Sequence, residues 1–185
     1  RESMTERMAE TLIQQIDTLS AIATEFSDFA KMPAASPEAV DLKEVLGHCV
    51  MLFRESCTYE FRYESVEQPV TVVADKTQLN RVFSNLIKNA VQAIPEDRQG
   101  RIVLTITLND GMAVVEISDN GIGIDASQRH RIFVPNFTTK SGGTGLGLAM
   151  VKNIVEQSKG SVDFESVPGE GTVFTVRLPL FRPTA

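Results

Sequence analysis

Four short segments decide how this chain folds, and they read in order Asn85-Leu-Ile-Lys-Asn89, Asp119-Asn-Gly-Ile-Gly123, Phe133-Val-Pro-Asn-Phe137 and Gly143-Thr-Gly-Leu-Gly-Leu148. Each segment alone is a modest signal, and the information lies in their order and spacing. The sequence has no G-x-x-x-x-G-K-[ST] run, and no predicted strand is followed by G-x-G-x-x-G. Two common kinds of phosphate-binding loop are therefore excluded.

Composition limits the class of protein. The 185 residues suit one domain with an appendage, and a hydrophobic content of 42% is enough for a packed core. A net charge of −6 disfavours a nucleic-acid partner, because a phosphate backbone would be repelled. Two cysteines do not make a disulfide framework. This cysteine usage favours a reducing, cytoplasmic setting. No apolar run reaches the ~20 residues of a membrane span, and no signal peptide is recognisable.

Residues 3 to 31 carry a long helical pattern. Its apolar positions recur at alternating steps of four and three, at Leu12, Ile16, Leu19, Ala23, Phe26 and Ala30. This spacing is typical of a helical hairpin, bundle or coiled coil, and a helix packed on its own domain is the alternative. Two prolines, Pro33 and Pro37, then indicate a linker. Because the pattern is already present at the first residues, we expect a longer protein, in which any membrane anchor lies outside these residues.

Beyond Val40 the predicted strands and helices are segregated rather than strictly alternating. Predicted helices span 42–55, 75–94 and 143–157, and predicted strands span 58–65, 70–74, 101–108, 112–118, 161–166 and 172–180. Asp75 is the expected N-cap of its helix, with Gln78 as a capping-box partner. Asn109-Asp-Gly111 is the expected hairpin turn. The pattern predicts an α+β fold in which a mixed sheet carries helices on one face.

The helix after Asp75 has a polar stripe. Asn85 and Asn89 are four residues apart, so they project from one face, with Lys88 between them as a possible phosphate contact. An amide oxygen is a neutral hard ligand that suits Mg²⁺ carrying phosphates and waters. An ordinary amphipathic helix with a solvated polar face is the alternative.

Asp119 comes at the end of a predicted strand. An ionised carboxylate in an apolar pocket is costly unless it accepts hydrogen bonds, and the 6-amino group of adenine is a suitable donor. Gly121 and Gly123 let the backbone approach a base. A simple Asp-Asn-Gly turn is equally compatible with the sequence.

The glycines Gly143, Gly145 and Gly147 alternate where a helix is predicted to begin. A helix N-terminus presents free N–H groups and a positive dipole end, so it attracts anions, and glycines leave room for phosphates. A flexible linker is the alternative, but Leu146 and Leu148 have the spacing of buried residues.

The segment between these motifs has the composition of a lid. Phe133 and Phe137 bracket a proline and precede a polar, glycine-bearing stretch, in which Lys140 could reach a terminal phosphate after closure. A surface loop held by two Phe side chains is the alternative. His48 and His130 lie in no metal-ligand or triad pattern and are interpreted as structural or surface residues.

In this order, the four segments resemble the N, G1, F and G2 boxes of the catalytic and ATP-binding domain of two-component sensor histidine kinases. That family belongs to a group with type II topoisomerase ATPases, Hsp90 chaperones and mismatch-repair ATPases. The resemblance covers residues 40–179 and is nearest to the nitrogen-regulation type. It implies a two-layer α/β sandwich, the Bergerat-type ATP-binding fold, with a mixed sheet of about five strands, about three helices on one face and a long N-terminal helix before it.

The resemblance also implies roles for the matching residues. Asn89 would hold Mg²⁺, Asn85 and Lys88 would complete the catalytic set, and Asp119 would accept from the adenine amine. The other residues implied in ATP binding are Gly121, Gly123, Ile124, Phe133, Phe137, Thr139, Lys140, Gly143, Thr144, Gly145, Leu146, Gly147, Leu148 and Thr172. The lid departs from the family pattern at Val134 and Asn136, where an acidic residue and an aromatic residue are common.

The implied domains are residues 1–33, part of the second helix of a dimerisation and phosphoacceptor hairpin, a linker at 34–41, and the catalytic domain at 42–183. The implied partners are the phosphoacceptor domain of the same protein, a response regulator and a second copy of the protein. The phosphoacceptor histidine is expected upstream of Arg1, so the chain alone is expected to bind ATP without phosphorylating itself. A hydrolytic ATPase switch and a non-catalytic nucleotide-binding module of the same fold are the alternatives.

Overall fold

The computed structural model describes residues 4–30, 34–138 and 143–182. Four helices and seven strands follow one another in these residues: α1 Met4–Ala30, β1 Glu38–Asp41, α2 Leu42–Ser56, β2 Glu60–Ser65, β3 Thr71–Ala74, α3 Lys76–Ala93, β4 Arg101–Asn109, β5 Met112–Asp119, α4 Gly147–Gln157, β6 Ser161–Val167 and β7 Gly171–Pro179. The predicted α+β class is confirmed.

The main sheet has five strands in the order β2-β4-β5-β7-β6. The β2–β4 pair is parallel and the other neighbours are antiparallel, so the sheet is mixed, as predicted. A separate antiparallel pair joins β1 to β3. Residues 38–41 of the predicted linker form β1, a strand that the sequence pattern did not predict. The strand is four residues long and buries only Val40, which leaves too little alternation for the sequence pattern to show.

Helices α2, α3 and α4 bury their apolar stripes against one face of this sheet. In α3 the side chains of Leu79, Val82, Phe83, Leu86 and Ile87 are fully buried. Each such side chain contributes about 1.5–3 kcal/mol relative to an exposed position. The opposite stripe of α3 is thereby turned away from the core, and it carries the polar residues of the first motif.

Strand β5 shows the alternation that positions the second motif. Ala113, Val115 and Ile117 are buried, and Asp119 continues the same alternation as the last residue of the strand. A strand places every second side chain on one face, so the carboxylate of Asp119 follows the core side chains onto the helix-covered face. The hairpin turn before β5 is confirmed, because Asp110 and Gly111 both have positive φ values, of 49° and 78°.

Both ends of α3 follow the predicted signals. Asp75 accepts hydrogen bonds from the backbone N–H of Ser36 at 2.9 Å and of Gln78 at 3.0 Å, which confirms the N-cap. These two bonds hold the pKa of Asp75 below its ordinary value. The helix ends at Ala93, two residues before Pro95.

The start of α4 differs from the prediction. The helix begins at Gly147 and not at Gly143. The preceding Gly145 has a φ of 68°, which is outside the right-handed helical region and breaks any earlier helical turn. The alternating glycines therefore form a loop that leads into the helix rather than its first turn.

The long N-terminal helix is confirmed as α1. Its apolar side chains Leu12, Ile16, Leu19 and Phe26 are each about 60% exposed. The alternative in which this helix packs its apolar stripe on its own domain is therefore wrong for these four side chains. The side chains of His48 and His130 are exposed, and Cys49 is buried. Among the helices that the structure describes, none has the length and hydrophobicity of a membrane span.

Candidate nucleotide site

Asp119 lies in a buried position at the end of β5, with only 7% of its surface exposed. Its Oδ1 atom accepts a hydrogen bond of 2.8 Å from the backbone N–H of Gly121, so the loop that follows folds back onto the carboxylate. Across the β5–β7 ladder its Cα partner is Thr172, which is also buried. The two residues assigned to the base from the resemblance are thus direct neighbours.

The loop after Asp119 is fastened to the end of α3. The backbone N–H of Ile122 donates to the Ala93 carbonyl oxygen at 2.9 Å, and Gly121 is buried against the same helix end. The N–H of Gly169, in the β6–β7 turn, donates in turn to the Ile122 carbonyl oxygen at 2.8 Å. The loop is therefore held between a helix and a turn that are distant in sequence.

Arg98 is a residue of this site that the sequence analysis missed. Its Nη1 atom donates to three backbone carbonyl oxygens, those of Asn120 at 2.7 Å, Gly121 at 2.8 Å and Gly169 at 3.1 Å. One guanidinium thus ties the Asp119 loop to the β6–β7 turn. No local pattern marks Arg98, because its three acceptors are backbone atoms that no sequence motif records.

Ser166 is a second missed residue. It is buried on β6, and its hydroxyl contacts Ile124, Gly171 and Thr172. Ser166 takes the core-facing position after Val162 and Phe164, so it is the polar member of an otherwise apolar alternation. That break in the pattern was the available signal. Ile124, predicted to contact ATP, is half-buried and uses its backbone N–H on the Ser166 hydroxyl.

The first and fourth motifs meet at a cleft between α2, α3 and α4. This cleft is lined by Phe53, Arg81, Ser84, Asn85, Lys88, Gly147 and Met150. Asn85 and Lys88 therefore lie beside the start of α4, while Asn89 follows one turn later on α3 outside this lining. The Nδ2 atom of Asn85 donates to the Arg81 carbonyl oxygen at 2.8 Å, which fixes the side-chain orientation.

The close contact with Asn85 explains why position 147, at the start of α4, is a glycine. A Cβ atom at this position would lie 2.7 Å from Asn85 Oδ1, closer than real Cβ contacts come. A side chain at this position would require the Asn85 amide to shift. The N-cap residue Leu146 makes no side-chain capping bond, and the first turn of α4 has no acidic residue. The first turn of a helix with these features attracts an anion through its N–H groups and its positive dipole end.

The predicted lid starts from a packed anchor. The Phe133 ring meets the Phe164 ring edge-on at 6.1 Å between centroids, and Phe164 lies 5.9 Å from Phe174. Phe137 lies below the guanidinium of Arg131, which is 4.5 Å from the ring centroid. Both aromatic residues are half-buried, so the segment between them is held at each end.

The loop before α4 is fastened to the same segment. The N–H of Asn136 donates to the Gly145 carbonyl oxygen at 3.1 Å. A Cβ atom on Gly145 would lie 2.6 Å from the Phe137 nitrogen. The chain then leads into α4 through Thr144, Leu146 and Leu148. Leu146 is buried, whereas Gly143 is exposed. Thr139 and Lys140, both predicted to contact ATP, lie outside the described residues.

The predicted residues therefore fall into two groups. The base end comprises Asp119, Gly121, Gly123, Ile124 and Thr172, and the phosphate end comprises Asn85, Lys88, Asn89 and the residues Gly143–Leu148. Within the described part of the chain, no three His, Cys, Asp or Glu side chains gather as a metal cluster. A metal at the phosphate end would thus be held by amide and phosphate oxygens rather than by a carboxylate cage.

Comparison with known proteins identifies the family of this chain. Residues 74–182 match the family described as "Histidine kinase-, DNA gyrase B-, and HSP90-like ATPase". The chain belongs to this family. The matched range begins before α3 and includes all four motifs and both ends of the site.

Individual relatives include a sensor histidine kinase and a nitrogen regulation protein. The chain is 36% identical over 178 residues to the sensor histidine kinase ZraS of Klebsiella oxytoca, covering 94% of the chain and 38% of that protein. It is 31% identical over 180 residues to the nitrogen regulation protein NtrY of Azorhizobium caulinodans, covering 95% of the chain and 23% of that protein. The chain thus spans about two fifths or less of these two relatives.

Solved structures support the same fold. The mycobacterial sensor histidine kinase MprB matches 80% of this chain and 100% of its own, with a TM-score of 0.71 and 30% identity. Full-length ShkA in complex with AMPPNP matches 100% of this chain and 41% of its own, with a TM-score of 0.80. At 24% identity the ShkA likeness concerns the fold alone.

Proposed function

We propose that this chain is the catalytic and ATP-binding part of a sensor histidine kinase. It would transfer the γ-phosphoryl group of ATP to a histidine on a dimerisation domain, for relay to an aspartate of a response regulator. The observation that carries the proposal is the pairing of a buried carboxylate, Asp119, with an uncapped helix N-terminus at Gly147 beside the amide of Asn85. The carboxylate favours binding of a purine amine, and the helix N-terminus favours binding of phosphates.

At the base end, Asp119 would accept the 6-amino group of adenine, with Gly121 and Gly123 lining the base and Thr172 beside the carboxylate. A hydrogen bond to an ionised group in a buried place is about twice as strong as a neutral one. Arg98 would keep the loop in position, because it holds the carbonyl oxygens of Asn120 and Gly121 together.

At the phosphate end, the N–H groups at the start of α4 and the loop Gly143–Leu148 would hold the phosphates. Asn89 would hold Mg²⁺, with Asn85 and Lys88 completing the catalytic set. Bound Mg²⁺ would neutralise charge on the phosphate oxygens. These residues fit such a group, since amide oxygens are hard neutral ligands and Asn85, Lys88 and Gly147 line one cleft. Phe133, Phe137, Thr139 and Lys140 would belong to the lid.

Asn85 favours phosphoryl transfer over hydrolysis. An amide cannot take a proton from water, so this position lacks the general base that a hydrolytic switch requires. Transfer would instead depend on positioning and charge neutralisation. A hydrolytic switch remains the second candidate, and rapid multiple-turnover ATP hydrolysis by the chain would favour it. No nucleotide binding at all would favour a non-catalytic module.

Residues 1–33 would be the second helix of the dimerisation hairpin, and the ATP-binding domain would occupy residues 42–183. The exposed apolar stripe of α1 supports this division, because Leu12, Ile16, Leu19 and Phe26 need a partner surface. Such a hairpin would pair with a second copy in the full-length protein, on the cytoplasmic side of any membrane.

Phosphotransfer tests the proposal. Full-length protein, incubated with labelled MgATP, should acquire an acid-labile and base-stable phosphate, and Asn89→Ala should lose it. The isolated chain should bind ATP without acquiring that label, because its two histidines, His48 and His130, both lie outside α1. Phosphohistidine on the isolated chain, or full-length protein that hydrolyses ATP without labelling, would contradict the proposal.

A further inference from the structure

Ser166 makes three polar contacts at the base end that no motif marks. Its Oγ atom lies 2.9 Å from the Gly171 carbonyl oxygen, 2.8 Å from the Ile124 backbone nitrogen and 3.0 Å from Thr172 Oγ1. Ser166 is 6% exposed and Thr172 is 4% exposed. Water therefore has little access to either hydroxyl, and the contacts within the protein fix their orientations.

The directions of these hydrogen bonds follow from counting protons. A serine hydroxyl has one proton to donate. The Gly171 carbonyl oxygen can only accept, so that proton goes to Gly171. The Ile124 N–H can only donate, and Ser166 Oγ accepts it. The contact with Thr172 must then be donated by Thr172.

This arrangement leaves the Thr172 hydroxyl oxygen as an acceptor. Its single proton is used on Ser166, so only lone pairs remain for a ligand at the base end. Its Cα partner across the ladder is Asp119, whose carboxylate is also an acceptor. Two acceptors of neighbouring strands thus stand side by side in the pocket where the purine would lie.

We propose that Ser166 is a positioning residue that makes this site select 6-amino purines over 6-oxo purines, by holding the Thr172 hydroxyl as an acceptor. The proposal rests on the nucleotide site proposed above. A 6-amino group can donate to Thr172 directly or through one water. A 6-oxo group offers only lone pairs, and two facing acceptors leave buried polar groups unpaired, which is costly.

The test compares ADP with inosine diphosphate, which differs at position 6 of the base. Calorimetry on the chain with Mg²⁺ should give a dissociation constant for each, and their ratio is the readout. Ser166→Ala removes the acceptor of the Thr172 proton, so the Thr172 hydroxyl can turn and donate to the 6-oxo group. The preference for ADP should fall about tenfold, the effect of about one hydrogen bond.

A matched control separates this effect from general loosening. Ser158 also has a partly buried hydroxyl, which donates to the Ile154 carbonyl oxygen at 3.0 Å within α4. Ser158→Ala should leave the ratio unchanged. If Ser166→Ala weakens both nucleotides equally and the ratio stays at the parent value, Ser166 is merely structural and the proposal is wrong.

Thr172 variants keep the proposal testable if Ser166→Ala does not fold. Thr172→Ser retains the hydroxyl and should keep the parent ratio, whereas Thr172→Val removes the acceptor and should lower it. In the Thr172→Val background, adding Ser166→Ala should change the ratio no further, because Ser166 acts through Thr172. The proposal would be overturned if Thr172→Val kept the ratio of dissociation constants found in the parent chain. It would also be overturned if Ser166→Ala changed that ratio in the Thr172→Val background.

The outcomes distinguish this proposal from the proposed function. Binding of neither nucleotide by the parent chain would contradict the function and this inference with it. Binding of both with equal affinity would contradict the inference alone, because ATP binding would still stand.

Discussion

The two ends of the site are built in different ways. The base end is held by side chains that bond to backbone atoms of distant segments: Arg98 reaches Asn120, Gly121 and Gly169, and Ser166 reaches Ile124. The phosphate end is built from local features, a polar stripe on α3 and a glycine loop before α4. The base end is therefore a preformed pocket. The phosphate end depends on the start of α4 and on the loop before it. Substitutions at the two ends should consequently have different signatures.

The largest effect is expected at Asp119. Asp119→Asn removes the charge-assisted acceptor and presents an amide donor toward the adenine amine. ATP affinity should fall about tenfold to a hundredfold. Titration calorimetry measures it, and Glu116→Gln, on the same strand but on the exposed face, serves as the control. Unchanged ATP affinity in Asp119→Asn would mean that this carboxylate does not bind the adenine amine.

Asn89→Ala should break the phosphate end alone. Loss of the amide ligand should abolish the tighter nucleotide binding that Mg²⁺ confers, while affinity measured in a chelator stays near the parent value. The measurement is a pair of titrations with ADP, with Mg²⁺ and with chelator. Asn80→Ala, an earlier position of α3 whose side chain donates to the Lys76 carbonyl oxygen, is the control. A Mg²⁺ effect that survives Asn89→Ala would remove Asn89 from the metal site.

Gly147→Ala tests the close approach of α3 and α4. The new Cβ would lie 2.7 Å from Asn85 Oδ1, so the amide or the helix must shift. ADP affinity should fall about tenfold, a loss comparable to one misplaced hydrogen bond. Gly47→Ala in α2 meets nothing within 4 Å and should leave binding unchanged. Equal ADP affinity in the two variants would refute the assigned role of this contact.

A smaller change is expected at Arg98, because this residue is proposed to hold the loop and not to bind the nucleotide. Arg98→Met leaves three carbonyl oxygens without their donor and should lower the free energy of unfolding by about 1–3 kcal/mol. Chemical denaturation gives this value, and amide hydrogen exchange at Ile122 and Gly169 should speed up with it. Arg177→Met, whose ion pair with Asp163 is exposed, should change both quantities little. Slow exchange at Ile122 in Arg98→Met would show that the loop is held without the guanidinium.

The smallest effect is expected away from both ends, at the N-cap of α3. Asp75→Ala should lower the free energy of unfolding by about 1 kcal/mol and leave ADP affinity unchanged. The pKa of Asp75 is lowered on folding, so its stabilisation is present above the ordinary value of 3.8 and is lost as pH falls through the lowered value. Denaturation at pH 7 and pH 3 should therefore show a smaller difference between parent and variant at the lower pH. An equal difference at both would contradict the cap.

The same contrast explains what the sequence could predict. The Asp75 cap, the turn at Asp110 and the amphipathic stripe of α3 depend on neighbours within a few residues, so patterns reveal them. Arg98 and Ser166 act on backbone atoms up to 71 residues away, and the acceptors carry no side-chain signature. The start of α4 was predicted wrongly, because the residue types in a glycine-rich segment do not show which of its glycines adopt positive φ values.

Strand β1 was missed for a related reason. Its four residues are held as a strand by pairing with β3, and their alternation of apolar and polar residues is too short to be detected in the sequence. The motif order, in contrast, predicted the sheet, the helix-covered face and the family. Sequence signals therefore identified the fold and the family, whereas the contacts that hold the base end together required the structure.

The most direct test of the account is whether both ends bind one nucleotide. Amide NMR spectra of the chain, titrated with ADP and Mg²⁺, report each end separately. The account predicts that the signals of Gly121 and Gly123 and those of Gly147 and Leu148 shift together along one saturation curve. Shifts at only one end, or two curves with different dissociation constants, would contradict a single ATP site that spans β5 and α4.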